Sequence, residues 1–201
     1  MITENGALKE RILWIDAIKG VGIMMVMTSH MLSIPYDWVL YVGFIPFFFF
    51  VSGYTYKQKD NIKTLIVDKS KRLLIPYFVY SVFALIVDLF LGYIDKNSMI
   101  IRVIGIFYSR FCLYQWRTPD NIIFLYGNGP LWFLPAMFLS LILVYVFIKV
   151  HKKVFWGNVV ALILLYSIIA HYSPILSPWS LDIIPVYTLF VSVRNLGHSE
   201  F

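Results

Sequence analysis

The stretch Arg11–Met31, RILWIDAIKGVGIMMVMTSHM, is apolar enough and long enough to cross a bilayer, yet it carries Asp16, Lys19 and His30. An α-helix turns about 100° per residue, so Lys19 and His30 return to within about 20° of one face, and Asp16 lies about 40° from His30. Asp16, Lys19, Ile23, Val26 and His30 therefore form one stripe. At a rise of about 1.5 Å per residue it spans roughly 21 Å, about two thirds of the hydrocarbon thickness. Ionisable groups at such depth cost roughly 2.5–3.5 kcal/mol each and usually face a bundle interior or a wet cavity. The stripe reads as a site reaching from one membrane surface to a point deep inside. The competing reading lets Asp16 and Lys19 snorkel to one set of headgroups while His30 reaches the opposite interface.

Working outward, the 201-residue chain is 60% hydrophobic and only 14% charged, well above the apolar content of about 45–50% usual for soluble domains. That is the composition of a polytopic membrane protein. The net charge of +6 gathers between apolar runs, as the positive-inside rule expects, so nucleic-acid binding is rejected. A single cysteine, Cys112, excludes an intramolecular disulfide and a thiolate metal cluster. The first apolar run is too long for a signal peptide, is interrupted by charge and lacks a small-residue cleavage site, so it is expected to stay as an anchor.

The second span runs from about Trp38 to Tyr56 and contains IPFFFFVSGY, in which Ser52 and Gly53 allow close helix approach. Residues 57–72 hold six basic side chains and read as a cytoplasmic loop, which fixes the topology. A third span is expected over Leu73–Tyr93, with Pro76 in its first turn. The mixed stretch Ile94–Gly129 reads as an amphipathic interfacial or re-entrant helix outside the cytoplasm, with Arg102 and Arg110 at headgroups or on an anionic glycan. A fourth span ends near Lys149, a fifth covers about Val154–Tyr172, and a short sixth covers Leu181–Val193. The expected architecture is all-α, a helical bundle of about five full spans plus the short sixth. It forms one domain over residues 1–193 with a polar tail over 194–201.

Four motifs occur in order: the Arg11-Asp16-Lys19-His30 series, PFFFFVSGY, KSKRLLIPY and GNGPLWFLPAMF. Together they resemble the acyltransferase-3 family of integral membrane acyltransferases, many of which O-acetylate cell-surface glycans. The resemblance implies that His30 is the essential histidine, with Lys19 where arginine is common. Arg72 matches the family's arginine at the mouth of the third span, and Trp132 and Phe133 match its tryptophan-phenylalanine pair. Phe44 and Ile45 stand where many relatives carry a histidine before the proline. Relatives also have more spans, so the chain is expected to be truncated at its C-terminus.

The chemistry points the same way. Moving an acetyl group from a cytoplasmic thioester to an outer alcohol needs a base or nucleophile reachable from outside, and histidine titrates near neutrality. Phosphates of the donor need cations on the inner side, supplied by Arg72, Lys71, Lys19 and Arg11. Asp16 is assigned to catalysis as an orienting group toward Lys19 or Arg11, because it is too far along the helix to bond His30 directly. Trp132, Phe133 and Ser52 are placed with the acceptor; as alternatives, Arg72 serves topology alone and Trp132 sits in an interfacial belt.

The expected function is an O-acyltransferase of the inner (plasma) membrane, its N-terminus cytoplasmic. It would use acetyl-CoA as donor, with no permanently bound cofactor and no metal. The expected acceptor is a sugar hydroxyl of a surface polysaccharide or lipid-linked glycan, and the resemblance of GNGPLWFLPAMF to the fucose-acetylating branch of the family implies a fucose-like sugar. Two other readings are an inactive or split family member and a small transporter or non-catalytic partner of glycan assembly. Membrane lipid is a partner in every case, and a homo-oligomer or a protein supplying further spans is compatible with the incomplete bundle.

Overall fold

The computed structural model describes residues 13–31, 37–56, 61–94, 96–109, 114–117, 122–125, 129–151, 155–172, 178–181 and 184–197. Helix α1 (Leu13–Met31) is followed by α2 (Asp37–Tyr54), α3 (Ile62–Lys69), a π-helical segment (Ser70–Leu74), α4 (Ile75–Phe90) and α5 (Lys96–Tyr108). A two-stranded antiparallel hairpin, β1 (Tyr114–Arg117) with β2 (Ile122–Leu125), comes next, pairing Tyr114 with Leu125 and Arg117 with Ile122. A 3-10 turn (Gly129–Trp132) opens α6 (Phe133–His151), and α7 (Phe155–Tyr172), a second 3-10 turn (Pro178–Ser180) and α8 (Ile184–Gly197) complete the order.

The core is built around α8, which packs against α2, α6 and α7. Small residues decide how closely these helices meet. A Cβ on Gly53 of α2 would lie 2.0 Å from the Val191 carbonyl oxygen of α8, so only glycine permits this backbone-to-backbone contact. One turn back, Phe49 is fully buried and stacks on Tyr187 at 4.0 Å between ring centroids. The resulting cluster continues through Trp132, Met137, Leu141, Val144 and Tyr145 of the α6 side. Helix α1 lies on the outside of α2, with Trp14 edge-on to Tyr54 and Gly22 against the Phe48 ring, so the two helices run antiparallel.

A second core holds the other end of the bundle. Tyr77 and Leu85 of α4 meet Ile106 of α5 together with Ile94. The last carbonyls of a helix have no partner within it, and here side chains supply them. The Tyr77 hydroxyl donates to the Ile106 carbonyl, and Trp179 Nε1 donates to the Phe107 carbonyl at 2.8 Å. Arg102 pairs with Asp88 at 3.2 Å, tying α5 to the end of α4.

Several expectations need correction. The supposed cytoplasmic loop over residues 57–72 is helical from Ile62 onward and runs unbroken into α4, giving one helix Ile62–Phe90 of 29 residues. This is the one helix among the described residues that is long and apolar enough to cross a membrane by length and composition. Shorter apolar helices cover Ile45–Tyr54, Ser98–Tyr108, Phe133–Lys149 and Gly157–Ile168. Among the described residues every element is helical apart from the short β1–β2 hairpin, in keeping with the expected all-α class. The amphipathic helix expected between the third and fourth spans is α5, but it stops at Tyr108. The short sixth segment is a 14-residue helix reaching Gly197, past the expected end at Val193.

Candidate active site

Helix α1 presents its stripe along the edge of the seam with α2. Ile15, 3% exposed, and Gly22 are buried at the seam, and by helical phase Lys19 and Val26 lie about 40° and 20° away from Ile15. Lys19 and Val26 are accordingly half-buried and Ile23, about 80° round, is 53% exposed; Asp16, about 100° round, is half-buried as well, which phase alone does not explain. The helix continues without a break through His30, whose backbone lies between the phases of Lys19 and Ile23, roughly 12 Å along the axis from Gly22. The His30 side chain and the whole of Arg11 lie outside the described residues.

Three of the residues assigned to the acceptor are brought together at the middle of the bundle. Phe133 stacks on Phe48 at 6.0 Å, and Trp132, only 6% exposed, tilts against Tyr187 at 6.2 Å. Ser52 stands one turn further along α2 and directs its hydroxyl at the Met137 sulfur, 3.2 Å away. Trp132 is thus enclosed by α2, α6 and α8 and does not sit in an exposed belt. Tyr187, which completes this aromatic cluster, was not singled out by sequence. Its only signal was an aromatic residue on a helix that looked too short to matter.

The end of the bundle where α2 finishes is basic. Pro76 explains why Lys71 and Arg72 stand where they do. Its ring cannot donate a hydrogen bond and crowds the carbonyl four residues earlier, that of Arg72. The helix widens there into a π turn, in which the Ile75 N–H reaches the Ser70 carbonyl. Lys71 and Arg72 are carried on this widened turn, both exposed, while the segment packs against α6.

Helix α6 contributes its own groups at this end. Lys149 donates to the Tyr145 hydroxyl at 3.0 Å and lies 5.4 Å from that ring's centroid, so the ammonium sits off the hydroxyl edge and the hydrogen bond is the main contact. Tyr56, 5% exposed in the turn after α2, is Tyr145's electrostatic neighbour. Its hydroxyl has no hydrogen-bond partner among the described residues. Sequence reading passed over these groups because tyrosines near span ends are common interfacial residues.

The assigned residues therefore divide. Asp16 and Lys19 lie toward the end where α2 finishes, as do Lys71 and Arg72. Ser52, two residues before the end of α2, is level with Asp16, whereas Trp132 and Phe133 lie deeper beside Tyr187 and Phe48, and the helical rise carries His30 away from the basic end. Arg102, considered for an anionic glycan, is engaged by Asp88. No group of three His, Cys, Asp or Glu residues suited to a metal occurs among the described residues.

A family model described as an acyltransferase domain, that of the acyltransferase-3 group, matches residues 12–191, a range containing α1 to α7 and most of α8. No curated protein and no solved structure matches the chain.

Proposed function

The chain belongs to the acyltransferase-3 family and is a membrane acyltransferase, and from that premise we propose that it moves an acetyl group from cytoplasmic acetyl-CoA to a sugar hydroxyl outside. The acceptor is a surface polysaccharide or lipid-linked glycan, with fucose-like sugars the first to try. The bundle sits in the inner membrane with the N-terminus cytoplasmic and about five crossings. The wide apolar exposure of α4 and α7, including Val79, Phe83, Ile86, Leu164 and Ile168, supports immersion in lipid, since soluble proteins rarely leave such faces uncovered.

The observation that carries the reading is the unbroken helix α1, which keeps Asp16, Lys19 and His30 on one stripe at the edge of the bundle. His30 takes the proton of the sugar hydroxyl as its oxygen attacks the acetyl carbonyl. The new C–O bond forms, the C–S bond breaks, and coenzyme A leaves as a thiolate that then takes up a proton. Arg72, Lys71, Lys19 and Arg11 hold the donor's phosphates at the basic end. Asp16 orients Lys19 or Arg11, and the Trp132, Phe133 and Ser52 group forms a rigid wall for the acceptor.

The test is transfer of label from radioactive acetyl-CoA to glycan by membranes containing this chain. Replacing His30 with alanine is expected to lower the rate by about 10²–10⁴-fold, the usual worth of a positioned general base. Undiminished transfer by that variant would remove the histidine from the mechanism. Binding or flux of a glycan without consumption of acetyl-CoA would replace the enzyme with a carrier.

A further inference from the structure

Strained backbone gathers at a place that the proposed chemistry leaves unused. Among the described residues, the non-glycine residues in the left-handed region are Ser109, Trp179 and Ser180, at φ of 50°, 54° and 53°. Bulky side chains avoid that region, and such residues persist only where their surroundings hold them. Ser109 directly follows α5, and Trp179 and Ser180 belong to the 3-10 turn before α8, which packs on α5 and α6. One hydrogen bond joins the two segments: Trp179 Nε1 donates to the Phe107 carbonyl at 2.8 Å, two residues before Ser109. Both serines are buried. The contact lies within the bundle. Helix α5 runs back along α4, with Arg102 beside Asp88 and the Ile106 carbonyl at the Tyr77 hydroxyl, so its carboxyl end stands near the middle of the 29-residue helix Ile62–Phe90.

Two paths lead from this point to the aromatic group assigned to the acceptor. Leu131 and Leu134, which flank Trp132 and Phe133, pack on the core formed by Tyr77 and Ile106. On the other path the strained turn leads into α8, where Ile184 is buried and Tyr187, about one turn on, stacks on Phe49 at 4.0 Å and tilts against Trp132 at 6.2 Å. We infer that Trp179 is a positioning residue for the acceptor: its indole N–H, pinned to the end of α5, fixes the entry of α8 and, through Tyr187, the setting of Trp132. The inference rests on the proposed reading of Trp132 and Phe133 as the acceptor's wall. The hydrogen bond holds the turn against its own strain. Without it, Trp179 and Ser180 relax toward ordinary φ and carry the first turn of α8 with them.

Trp179→Phe keeps an aromatic ring and removes the N–H. Tyr77→Phe is the matched control, since it removes the donor to the neighbouring Ile106 carbonyl, which α4 supplies and not the turn before α8. Both are studied in the full chain in lipid nanodiscs. Trp179→Phe is expected to speed amide hydrogen exchange over residues 184–188 by about tenfold or more, and Tyr77→Phe to leave it within about twofold. Kinetics use radioactive acetyl-CoA as donor and glycan extracted from the host membranes as acceptor. Trp179→Phe is expected to lower kcat/KM for the glycan by about tenfold and to leave KM for acetyl-CoA unchanged, because only the acceptor is displaced. Exchange over 184–188 that rises equally in both variants, or in neither, overturns the link from Trp179 to α8. Faster exchange with an unchanged kcat/KM for the glycan, or with KM for acetyl-CoA raised as well, overturns the positioning role and leaves the functional proposal standing. Unaltered protein that transfers no acetyl to the glycan overturns the functional proposal, and the positioning role with it.

Discussion

At Gly53 the backbone of α2 meets that of α8 with no room for a methyl group, since an added Cβ would fall 2.0–2.5 Å from three backbone atoms of Val191. Backbone cannot swing aside as a side-chain end can. Gly53→Ala is therefore expected to cost more than the roughly 1–3 kcal/mol of ordinary overpacking, because the two central helices must part. Thermal unfolding of the purified protein in detergent reads this, with Gly20→Ala as the contrast. Gly20 has nothing within 4 Å of an added Cβ, and there the better helix propensity of alanine predicts no loss of stability. A second residue-scale test is Tyr77→Phe. The Tyr77 ring is fully buried and its hydroxyl closes one of the last carbonyls of α5, so the substitution is expected to cost about 1–3 kcal/mol. By comparison Asp88→Asn breaks an ion pair with 19% and 27% side-chain exposure and is expected to cost no more than about 1 kcal/mol on the same measurement.

At the scale of elements, the π turn is the feature with a direct consequence for chemistry. Pro76 sets the width of the turn that holds Lys71 and Arg72, so Pro76→Ala restores an N–H donor and lets the turn close toward α-helical geometry. That change is expected to raise hydrogen-exchange protection across residues 70–75 and to lower acetyl transfer, because both cations are rotated about the helix axis. Unchanged transfer with raised protection would separate the turn from the site. The sequence showed Pro76 near a helix start, but not that helix already ran through the basic residues before it. High charge over 57–72 was read as a loop, whereas Asn61 accepts from the Lys63 N–H as an N-cap and starts the helix there. The hairpin was missed for a similar reason. Aromatic and β-branched residues in YQWR and IIFL flank Thr118-Pro119-Asp120-Asn121, a turn composition that outweighs the scattered arginines. Close contacts such as Gly53 with Val191 join residues far apart in the chain, and no local pattern announces them. The α1 stripe was legible because it depends on helical phase alone.

For the whole molecule, element lengths and charge together set its placement in the bilayer. The 29-residue helix Ile62–Phe90 measures about 43 Å at 1.5 Å per residue, well beyond a hydrocarbon thickness of about 30 Å, so its charged first turns protrude on one side. Helices α1, α2, α6 and α7, of 18 or 19 residues, measure about 27–28 Å, and the stacking of Phe133 on Phe48 staggers α6 against α2. The 14-residue α8, about 21 Å long, falls short, which suits a helix packed among α2, α6 and α7. The proposed topology puts Lys71 and Lys149 on the cytoplasmic side and Tyr93, 77% exposed after α4, on the other. In a Cys112→Ser background, single cysteines at these positions convert the geometry into a labelling experiment on intact cells. A membrane-impermeant maleimide is expected to label Tyr93→Cys from outside, and to reach Lys71→Cys and Lys149→Cys only after the membrane is opened. The positive-inside rule favours this orientation because the two lysines belong to the most basic parts of the chain. The proposed chemistry requires it as well, since a cytoplasmic donor can meet Arg72 and Lys71 only if they share its compartment. Labelling of either lysine position from outside would invert the bundle and separate its basic end from the proposed donor.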